Sequence, residues 1–279
     1  VAMDRLDGTM RSEADVTEAL GIPCIGLLPR LRRVRRLRPH QSLLHDDYGP
    51  YVEAVRSIAA TSLLAAGNRP QFVLVTSSVP GEGKTTLAVS FATYAARLGK
   101  RTILLDLDFR HPATAREFGP VADTATLARL LDKRPVRETV QRLPMLHLDY
   151  VPMGGIADPL QLFANNQIAE LLETLRESYD CIVADTAPLL AVTETRLLAA
   201  MADQVLFAVK WASTDRRVAR NALALLRCAG VRTDHELCSI GTIITQMDLR
   251  KHARSRDGSV AEAMVRYGKY YGQAGKAEG

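Results

Sequence analysis

From residue 71 onwards, short apolar runs alternate with longer segments of helical periodicity. Six apolar runs predict β-strands, at residues 71–77, 101–108, 145–154, 180–186, 204–210 and 238–247. Apolar residues spaced three and four apart predict helices between them, at residues 84–99, 124–133, 165–179, 194–201 and 216–230. The strands are apolar along their whole length, which is typical of a parallel sheet covered by helices on both faces. The sequence therefore predicts an α/β fold with a doubly wound, mostly parallel central sheet.

The N-terminal part of the chain carries two further helix signals. Residues 12–21 predict a short helix, with Ser12 as its N-cap and Gly21 as its C-cap. Residues 22–29 form a short extended apolar piece, and residues 30–50 are interpreted as a linker. A second helix is predicted from residue 51 to Gly67, with one apolar face formed by Val52, Val55, Ala59 and Leu63.

Composition places the chain among ordinary globular proteins. Its 279 residues are 47% hydrophobic and 24% charged, enough for one large domain or two small ones. The four cysteines form no CxxC pair and fit reduced thiols in a cytoplasm. The six histidines form no metal-ligand pattern, so we expect no zinc site. No apolar run is long enough to predict a membrane span, and no signal peptide is visible.

Positive charge is concentrated in one short stretch. The formal net charge is +5, and a run between residues 30 and 38 contains Arg30, Arg32, Arg33, Arg35, Arg36 and Arg38. Such a run suits an anionic membrane surface or nucleic acid, and it is also typical of a solvated linker. Because no aromatic residues are interleaved and no reader motif is present, no nucleic acid partner is expected.

The sequence "PGEGKTT" follows the first predicted strand and opens a helix, which is the context of a phosphate-binding loop. Glycine permits the backbone angles that turn successive N–H groups towards phosphate oxygens, and the helix N-terminus adds its positive dipole end. The pattern departs from G-x-x-x-x-G-K-[ST] only at Ser78, which replaces the first glycine. The candidate nucleotide-binding residues are Ser78, Pro80, Gly81, Glu82, Gly83, Lys84, Thr85 and Thr86.

Three carboxylates follow buried strands downstream of this loop. Asp106 and Asp108 end the second predicted strand, and Asp185 ends the fourth. Ligands of open parallel sheets bind outside the carboxyl ends of the strands, so these groups would lie beside a bound triphosphate. Together with the Thr85 hydroxyl, Asp106 and Asp185 suit a magnesium site, and one carboxylate is left to act as a base. The ligand predicted from these residues is a nucleoside triphosphate with Mg²⁺.

Several quoted segments resemble the cytoplasmic domain of the bacterial tyrosine kinases (BY-kinases) of the polysaccharide co-polymerase, or chain-length regulator, type. "TSSVPGEGKTT" resembles their Walker A loop, "ILLDLDFRHP" their Walker A′ motif and "YDCIVADTAPLL" their Walker B motif. "MGGIADPLQLF" resembles the loop before Walker B. "MDRLDGTMRSEADVTEALGIPCIGLLP" resembles the segment that follows the last transmembrane helix in fused members.

The resemblance implies a P-loop fold on the branch that includes MinD- and ParA-like ATPases. Their loops read K-G-G-x-G-K-T, and the first lysine of that pattern would fall at Val79 here. The implied organisation is a juxtamembrane-like segment and basic linker over residues 1–40, a kinase domain over residues 41–249, and a flexible tail over residues 250–279.

The activity implied by the resemblance is ATP-dependent phosphorylation of tyrosine. The candidate catalytic residues are Lys84, Asp106, Asp108 and Arg110. Our hypothesis takes Asp108 as the base for the acceptor and Asp106 as the acid nearer the metal, and the reverse assignment of the two stays open. The implied acceptors are the tail residues Tyr267, Tyr270 and Tyr271, reached in trans between subunits. The spacing of these tyrosines also allows them to pack as a small helical face.

The resemblance also implies partners and a location. "YVEAVRSI" resembles a ring-assembly helix of the form E-x-x-R-x-x-R, of which Glu53 and Arg56 match while Ala59 replaces the last arginine. Ala187 replaces a proline after Walker B, and Thr245 replaces an asparagine near the base. Implied partners are copies of the chain in a ring, a transmembrane co-polymerase, polysaccharide export machinery and a tyrosine phosphatase. The implied location is the cytoplasmic face of the inner membrane.

Two other functions fit the same motifs. A non-kinase ATPase switch would use the loop and carboxylates without modifying the tail. A nucleotide-binding module of a polysaccharide export assembly would hold the nucleotide without kinase activity. Phosphate mapped on the tail tyrosines separates the kinase from both alternatives.

Overall fold

The computed structural model describes residues 8–31, 38–45, 49–65, 71–119, 126–152, 156, 158–229 and 239–252. The strands are β1 (Cys24–Pro29), β2 (Gln71–Ser77), β3 (Thr102–Leu107), β4 (Gln141–Leu143), β5 (Leu148–Val151), β6 (Cys181–Thr186), β7 (Gln204–Lys210) and β8 (Ser239–Met247). The helices are α1 (Glu13–Leu20), α2 (Pro39–His45), α3 (Pro50–Ala65), α4 (Lys84–Arg97), α5 (Ala115–Phe118), α6 (Thr126–Leu131), α7 (Val136–Thr139), α8 (Pro159–Ala164), α9 (Gln167–Ser178), α10 (Glu194–Ala200), α11 (Arg216–Cys228) and α12 (Leu249–His252).

The described strands form one sheet in the order β1-β8-β7-β2-β6-β3-β5-β4. Neighbouring strands are parallel except β4 and β5, which are antiparallel. The central strands are buried on both faces: in β2, Phe72 and Leu74 pack into the core on one side, and Val73 and Val75 into the core on the other. All six predicted strands are present, and the predicted α/β fold with a mostly parallel sheet is confirmed.

The N-terminal elements pack onto this sheet. β1 is an edge strand whose Cys24 pairs with Thr242 of β8. The predicted caps of α1 are confirmed, since Ser12 and Asp15 form a capping box and Gly21 adopts φ 67°. An N-cap of this kind is worth about 1 kcal/mol. The described residues before position 40 therefore pack into the same core as those after it. The domain boundary predicted between residues 40 and 41 stays a prediction.

One of the two helices before β2 contradicts part of the interpretation of residues 30–50 as a linker. The predicted apolar face of α3 is buried, and α3 packs against β1 and α4. The linker interpretation is wrong for residues 39–45, which form α2. Leu43 of α2 is fully buried, and Arg97 of α4 donates a hydrogen bond to the Leu43 carbonyl at 2.7 Å. Burial of one leucine and this long-range contact stabilise a helix that has little apolar periodicity of its own.

Some predictions fall outside the described residues: Arg32, Arg33, Arg35, Arg36, Gly67, Tyr267, Tyr270 and Tyr271. α12 carries the chain by one helical turn into the segment predicted as a flexible tail, and its His252 is buried. Across the described ranges, none of the helices combines the length and the apolar character needed to cross a bilayer.

Candidate phosphate-binding site

The predicted phosphate loop connects β2 to α4 at the carboxyl edge of the sheet. β2 lies between β6 and β7 in the sheet. The strands that follow β2 in the chain lie first on the β6 side and later on the β7 side, so the loop is at the point where the strand order changes direction. Gly81 and Gly83 adopt φ 83° and 87°, which side chains disfavour, and a Cβ at Gly83 would lie 3.2 Å from the Thr245 hydroxyl. Gly83, the N-cap residue of α4, has no side chain that could bond the first amides of the helix. These amides therefore stay available to an anion.

Lys84, the first residue of α4, lies between two of the predicted carboxylates. Its Nζ is 3.0 Å from Asp108 Oδ2 and 3.7 Å from Asp185 Oδ1, and all three side chains are nearly inaccessible to solvent. Lysine is flexible enough to move from these acids to a phosphate. The structure therefore brings the predicted cation and two predicted carboxylates together at the loop.

Asp185 is fully buried, as is Asp106. It is inaccessible to solvent and lies opposite Asp106 in the pairing of β6 with β3. Burial raises the pKa of Asp185 to about 7, against the opposing effect of Lys84. Among the described residues neither of its carboxylate oxygens makes a well-formed hydrogen bond, although the Thr85 hydroxyl is close enough to lower its pKa. A buried acid with open oxygens is suited to bind a cation.

Asp106 is held by a hydroxyl pair that sequence reasoning missed. Its Oδ2 accepts a hydrogen bond from the Thr114 hydroxyl and another from the Thr114 amide at 3.2 Å. The Thr114 hydroxyl is also 2.7 Å from the Tyr150 hydroxyl. Burial raises the pKa of Asp106 to about 6, and the bonds from Thr114 oppose that rise. No sequence motif marks Thr114 or Tyr150, since they join Asp106 from another loop and strand.

Asp108 shapes the chain that follows β3. Its Oδ1 accepts hydrogen bonds from the backbone amides of Arg110 at 3.3 Å and His111 at 2.9 Å, while Oδ2 faces Lys84. The Arg110 guanidinium is largely exposed and lies 3.4 Å from the carboxylate of buried Glu194. Glu194 was not predicted from the sequence, where it reads only as the acidic first turn of α10.

A cavity of about 350 Å³ adjoins the loop on the side of β1 and β8. Gly83, Thr86, Thr245 and Gln246 line it together with Leu28 and Tyr51. A larger groove of about 540 Å³ lies between α6, α7 and α9, and contains none of the predicted site residues. The smaller cavity is therefore the better candidate for the nucleoside end of a ligand that extends from the loop.

Magnesium fits the residues present without a ready-made protein cage. In the described ranges no three His, Cys, Asp or Glu side chains are poised around a common point for a metal. Mg²⁺ commonly takes only one or two protein ligands and completes its shell with phosphate oxygens and water. Asp185 and the adjacent Thr85 hydroxyl meet that requirement, whereas Asp106 is already engaged by Thr114.

Glu53 and Arg56, the predicted assembly residues, lie on α3, which carries neither the loop nor the three carboxylates. Arg56 Nη1 is 3.5 Å from Glu53 Oε1 along the surface of α3. An exposed pair of this spacing contributes about 0.2–0.5 kcal/mol to a helix. The pair therefore does little for the fold of one subunit.

Known proteins similar to this chain share the region that contains the site. A family model described as an AAA domain matches residues 72–216. The chain is 27% identical to the succinoglycan biosynthesis transport protein ExoP of Rhizobium meliloti (strain 1021), over 94% of this chain and 37% of ExoP. It is 29% identical to the tyrosine-protein kinase YwqD of Bacillus subtilis (strain 168), over 72% of this chain and 83% of YwqD. The chain thus spans less than two-fifths of the length of ExoP.

Solved structures share the same architecture. The chimerical protein CapA2B2 superposes with a TM-score of 0.73 at 23% identity, over 85% of this chain and 99% of that chain. The VpsO kinase domain gives a TM-score of 0.60 at 32% identity, over 71% of this chain and 96% of that chain. A chain of the MinC:MinD cell division protein complex of Aquifex aeolicus gives a TM-score of 0.54 at 23% identity, over 70% of this chain and 76% of that chain.

Proposed function

The chain belongs to the AAA domain family and, as the sequence resemblance indicates, to its bacterial tyrosine kinases, and from this premise we propose that it is an ATP-dependent protein-tyrosine autokinase. It binds Mg-ATP at the loop and transfers the γ-phosphoryl group to tyrosines of its own C-terminal tail, in trans between subunits. The observation that carries the proposal is the position of Lys84, which lies between Asp108 and Asp185 directly after the Gly81–Gly83 turn.

The loop and α4 supply the ground-state binding. The amides at the start of α4, which the N-cap Gly83 does not cap with a side chain, and the ammonium group of Lys84 neutralise the phosphates of the nucleotide. On binding, Lys84 exchanges its contact with Asp108 for a phosphate oxygen. The nucleoside extends into the cavity beside Thr86 and Thr245. Ser78 and Glu82 are buried and shape the loop from within, and the exposed Pro80 restricts its backbone.

The acidic side prepares the transfer. Asp185 and the Thr85 hydroxyl, with Asp106 nearby, would hold Mg²⁺, which would supply charge neutralisation at the phosphates. Asp108, released from Lys84, accepts the proton of the tyrosine hydroxyl as the new O–P bond forms and the bond to the β-phosphate oxygen breaks, leaving ADP. Exposed Arg110 contacts the transferring phosphate or a neighbouring subunit.

The tail tyrosines Tyr267, Tyr270 and Tyr271 are the proposed acceptors. Each phosphate would add roughly −1.5 to −2 charge. Arg266 and Lys269 lie beside these tyrosines in the sequence and would pair with the new charge. Accumulated phosphate would then loosen contacts between subunits.

The wider setting is proposed from the relatives. ExoP is named for succinoglycan biosynthesis transport and YwqD as a tyrosine-protein kinase. We infer that this chain acts at the cytoplasmic face of the inner membrane with a transmembrane polysaccharide co-polymerase, as a homo-oligomer assembled through Glu53 and Arg56. A tyrosine phosphatase would reverse its modification.

Mass spectrometry after incubation with Mg-ATP tests the proposal. We expect phosphate on Tyr267, Tyr270 or Tyr271, and its loss in Lys84→Met. Lys133→Met is a matched control, because Lys133 pairs with Glu170 at the surface between α6 and α9. The incubation is repeated with the membrane-proximal partner segment present, since an isolated domain can lack its activator.

Two results would replace the proposal. ATP turnover with an unmodified tail under both conditions would identify a non-kinase ATPase switch. Tight nucleotide binding with neither turnover nor modification would identify a nucleotide-binding regulatory module.

A further inference from the structure

The Glu82 carboxylate is buried inside the phosphate loop and bonds to the loop's own backbone. Glu82 is 2% exposed, and its Oε2 accepts hydrogen bonds from the amides of Ser78 at 2.7 Å and Val79 at 3.0 Å. The carboxylate thus ties the start of the loop to its end across four residues. Burial raises the pKa of Glu82, while its hydrogen bonds oppose that rise. Its other oxygen, Oε1, is left to a partner from elsewhere in the chain.

That partner is Thr214, in the turn between β7 and α11. The Thr214 hydroxyl donates to Glu82 Oε1 and accepts a hydrogen bond from the Lys210 amide at 2.9 Å. Because the Lys210 amide can only donate, the hydroxyl proton is directed towards Glu82. Thr214 is 4% exposed, so its hydroxyl is shielded from bulk water. The turn therefore fixes the orientation of the Glu82 carboxylate.

The turn itself is held by the start of the described chain. Ala212, at φ 50°, donates its amide to the Met10 carbonyl at 2.9 Å, and Arg216 donates its amide to the Gly8 carbonyl at 2.8 Å. The indole Nε1 of Trp211 donates to the Arg11 carbonyl at 3.0 Å. Residues 8–11 are thereby connected through two hydrogen bonds to the turn and through a third to the first residue of α11.

We propose that Thr214 is a positioning residue for the phosphate loop, and that residues 8–11 support the loop through it. The connection runs from residues 8–11 to the turn at 211–214, then to Glu82, and from Glu82 to the amides of Ser78 and Val79. It requires no contact between residues 8–11 and the nucleotide. The inference rests on the proposed nucleotide binding at the loop.

Thr214→Val removes the hydroxyl at nearly constant volume, and Thr214→Ser restores it. Titration calorimetry with ADP is expected to show about 10-fold weaker binding for Thr214→Val and binding within about 2-fold of wild type for Thr214→Ser, since a hydrogen bond to a charged group is lost and regained. ATP turnover at saturating ATP should change less than 3-fold, because the substitution affects the positioning of the loop for binding and leaves the catalytic groups in place. A purely structural role would lower the melting temperature without this separation of affinity from turnover.

A double-mutant cycle tests the connection to residues 8–11. Trp211→Phe removes the indole donor and is expected to weaken ADP binding about 3-fold in the wild-type background. In the Thr214→Val background it should add less than 1.5-fold, because the connection is already broken. Arg217→Gln, on the exposed face of α11, is the matched control and should leave affinity unchanged.

The outcomes separate this inference from the proposed function. If the wild-type chain binds no ADP or ATP, both are overturned. If the wild type binds and Thr214→Val binds equally well, or Thr214→Ser fails to restore affinity, the positioning role is overturned and the proposed function stands. Equal effects of Trp211→Phe in both backgrounds would overturn the support from residues 8–11.

Discussion

The two halves of the site are built from different parts of the polypeptide. The loop half uses backbone amides, turned by Gly81 and Gly83 and braced by Glu82, within a few consecutive residues. The acidic half uses the side chains of Asp106, Asp108 and Asp185, which reach the same edge from two strands. A backbone site depends on local conformation, whereas a side-chain site depends on the partners that surround each acid. Substitutions in the two halves should therefore impair different properties of the protein: phosphorylation in the acidic half and nucleotide binding in the loop half.

The largest effect is expected on the acidic side, from Asp185→Asn. The amide keeps the volume but cannot replace the negative charge that would face Mg²⁺ in the proposed site, so phosphorylation should fall roughly 100-fold or more. Because a buried charge is removed, the melting temperature at pH 7 should stay the same or rise. Radiolabel transfer and a thermal melt on the same sample check both. Activity and stability falling together would indicate that Asp185 is only structural.

In the loop half, Gly83→Ala should abolish most nucleotide affinity. A Cβ there combines φ 87° with a contact 3.2 Å from Thr245, so the loop must shift, and we expect at least roughly 10-fold weaker ADP binding. Gly99→Ala is the matched control, since Gly99 adopts φ 83° with open space around it. Both variants should lose about 1 kcal/mol of stability, measured by urea unfolding. Equal affinities in the two variants would show that backbone angles at the loop do not determine binding.

A smaller effect is expected from Thr114→Val, which tests whether the partners of an acid control it. Loss of the hydroxyl removes a hydrogen bond that lowers the pKa of Asp106, so that pKa should rise above its value of about 6. Activity should fall about 5-fold at pH 6.5 and less at pH 8, moving the acidic limb of the pH profile upward. Thr139→Val, which removes a hydroxyl that donates to the Pro135 carbonyl at the N-cap of α7, should leave the profile unchanged.

The buried acids also predict how stability depends on pH. Asp185 has a pKa of about 7 in the folded chain against 3.8 when exposed, so the folded state binds more protons between these values. The free energy of unfolding should therefore fall as pH rises from about 4 to 7, by up to about 1.4 kcal/mol per pH unit from this residue. Urea unfolding of the ligand-free protein at pH 5 and pH 7 measures the slope. An unchanged slope in Asp185→Asn would contradict the assignment.

The smallest effect on a single subunit is expected from Arg56→Ala, outside both halves. The pair with Glu53 is exposed, so the free energy of unfolding should stay within about 0.5 kcal/mol of the wild-type value. Sedimentation velocity in the presence of the membrane-proximal partner should nevertheless show smaller assemblies if the pair joins subunits. Unchanged assembly size would remove Glu53 and Arg56 from the proposed interface.

The positions of the strands and of the loop could be predicted because their signals are local. Continuous apolar runs mark strands buried on both faces, and Gly81, Gly83 and Lys84 carry the loop pattern in consecutive positions. The partners of the acids could not be predicted in this way. Thr114, Tyr150 and Glu194 lie on separate elements, and α2 is stabilised by the burial of Leu43 more than by its own periodicity.

The sequence by itself determined the parallel sheet, the caps of α1, the phosphate loop and the edge at which Asp106, Asp108 and Asp185 meet. These follow from propensities and turn geometry that act over a few neighbouring residues. Only the tertiary structure decided that Lys84 pairs with Asp108, that Thr114 holds Asp106, and that Thr214 connects Glu82 to residues 8–11. Such contacts join residues far apart in the chain, and their energies depend on burial and distance, which exist only once the elements have packed.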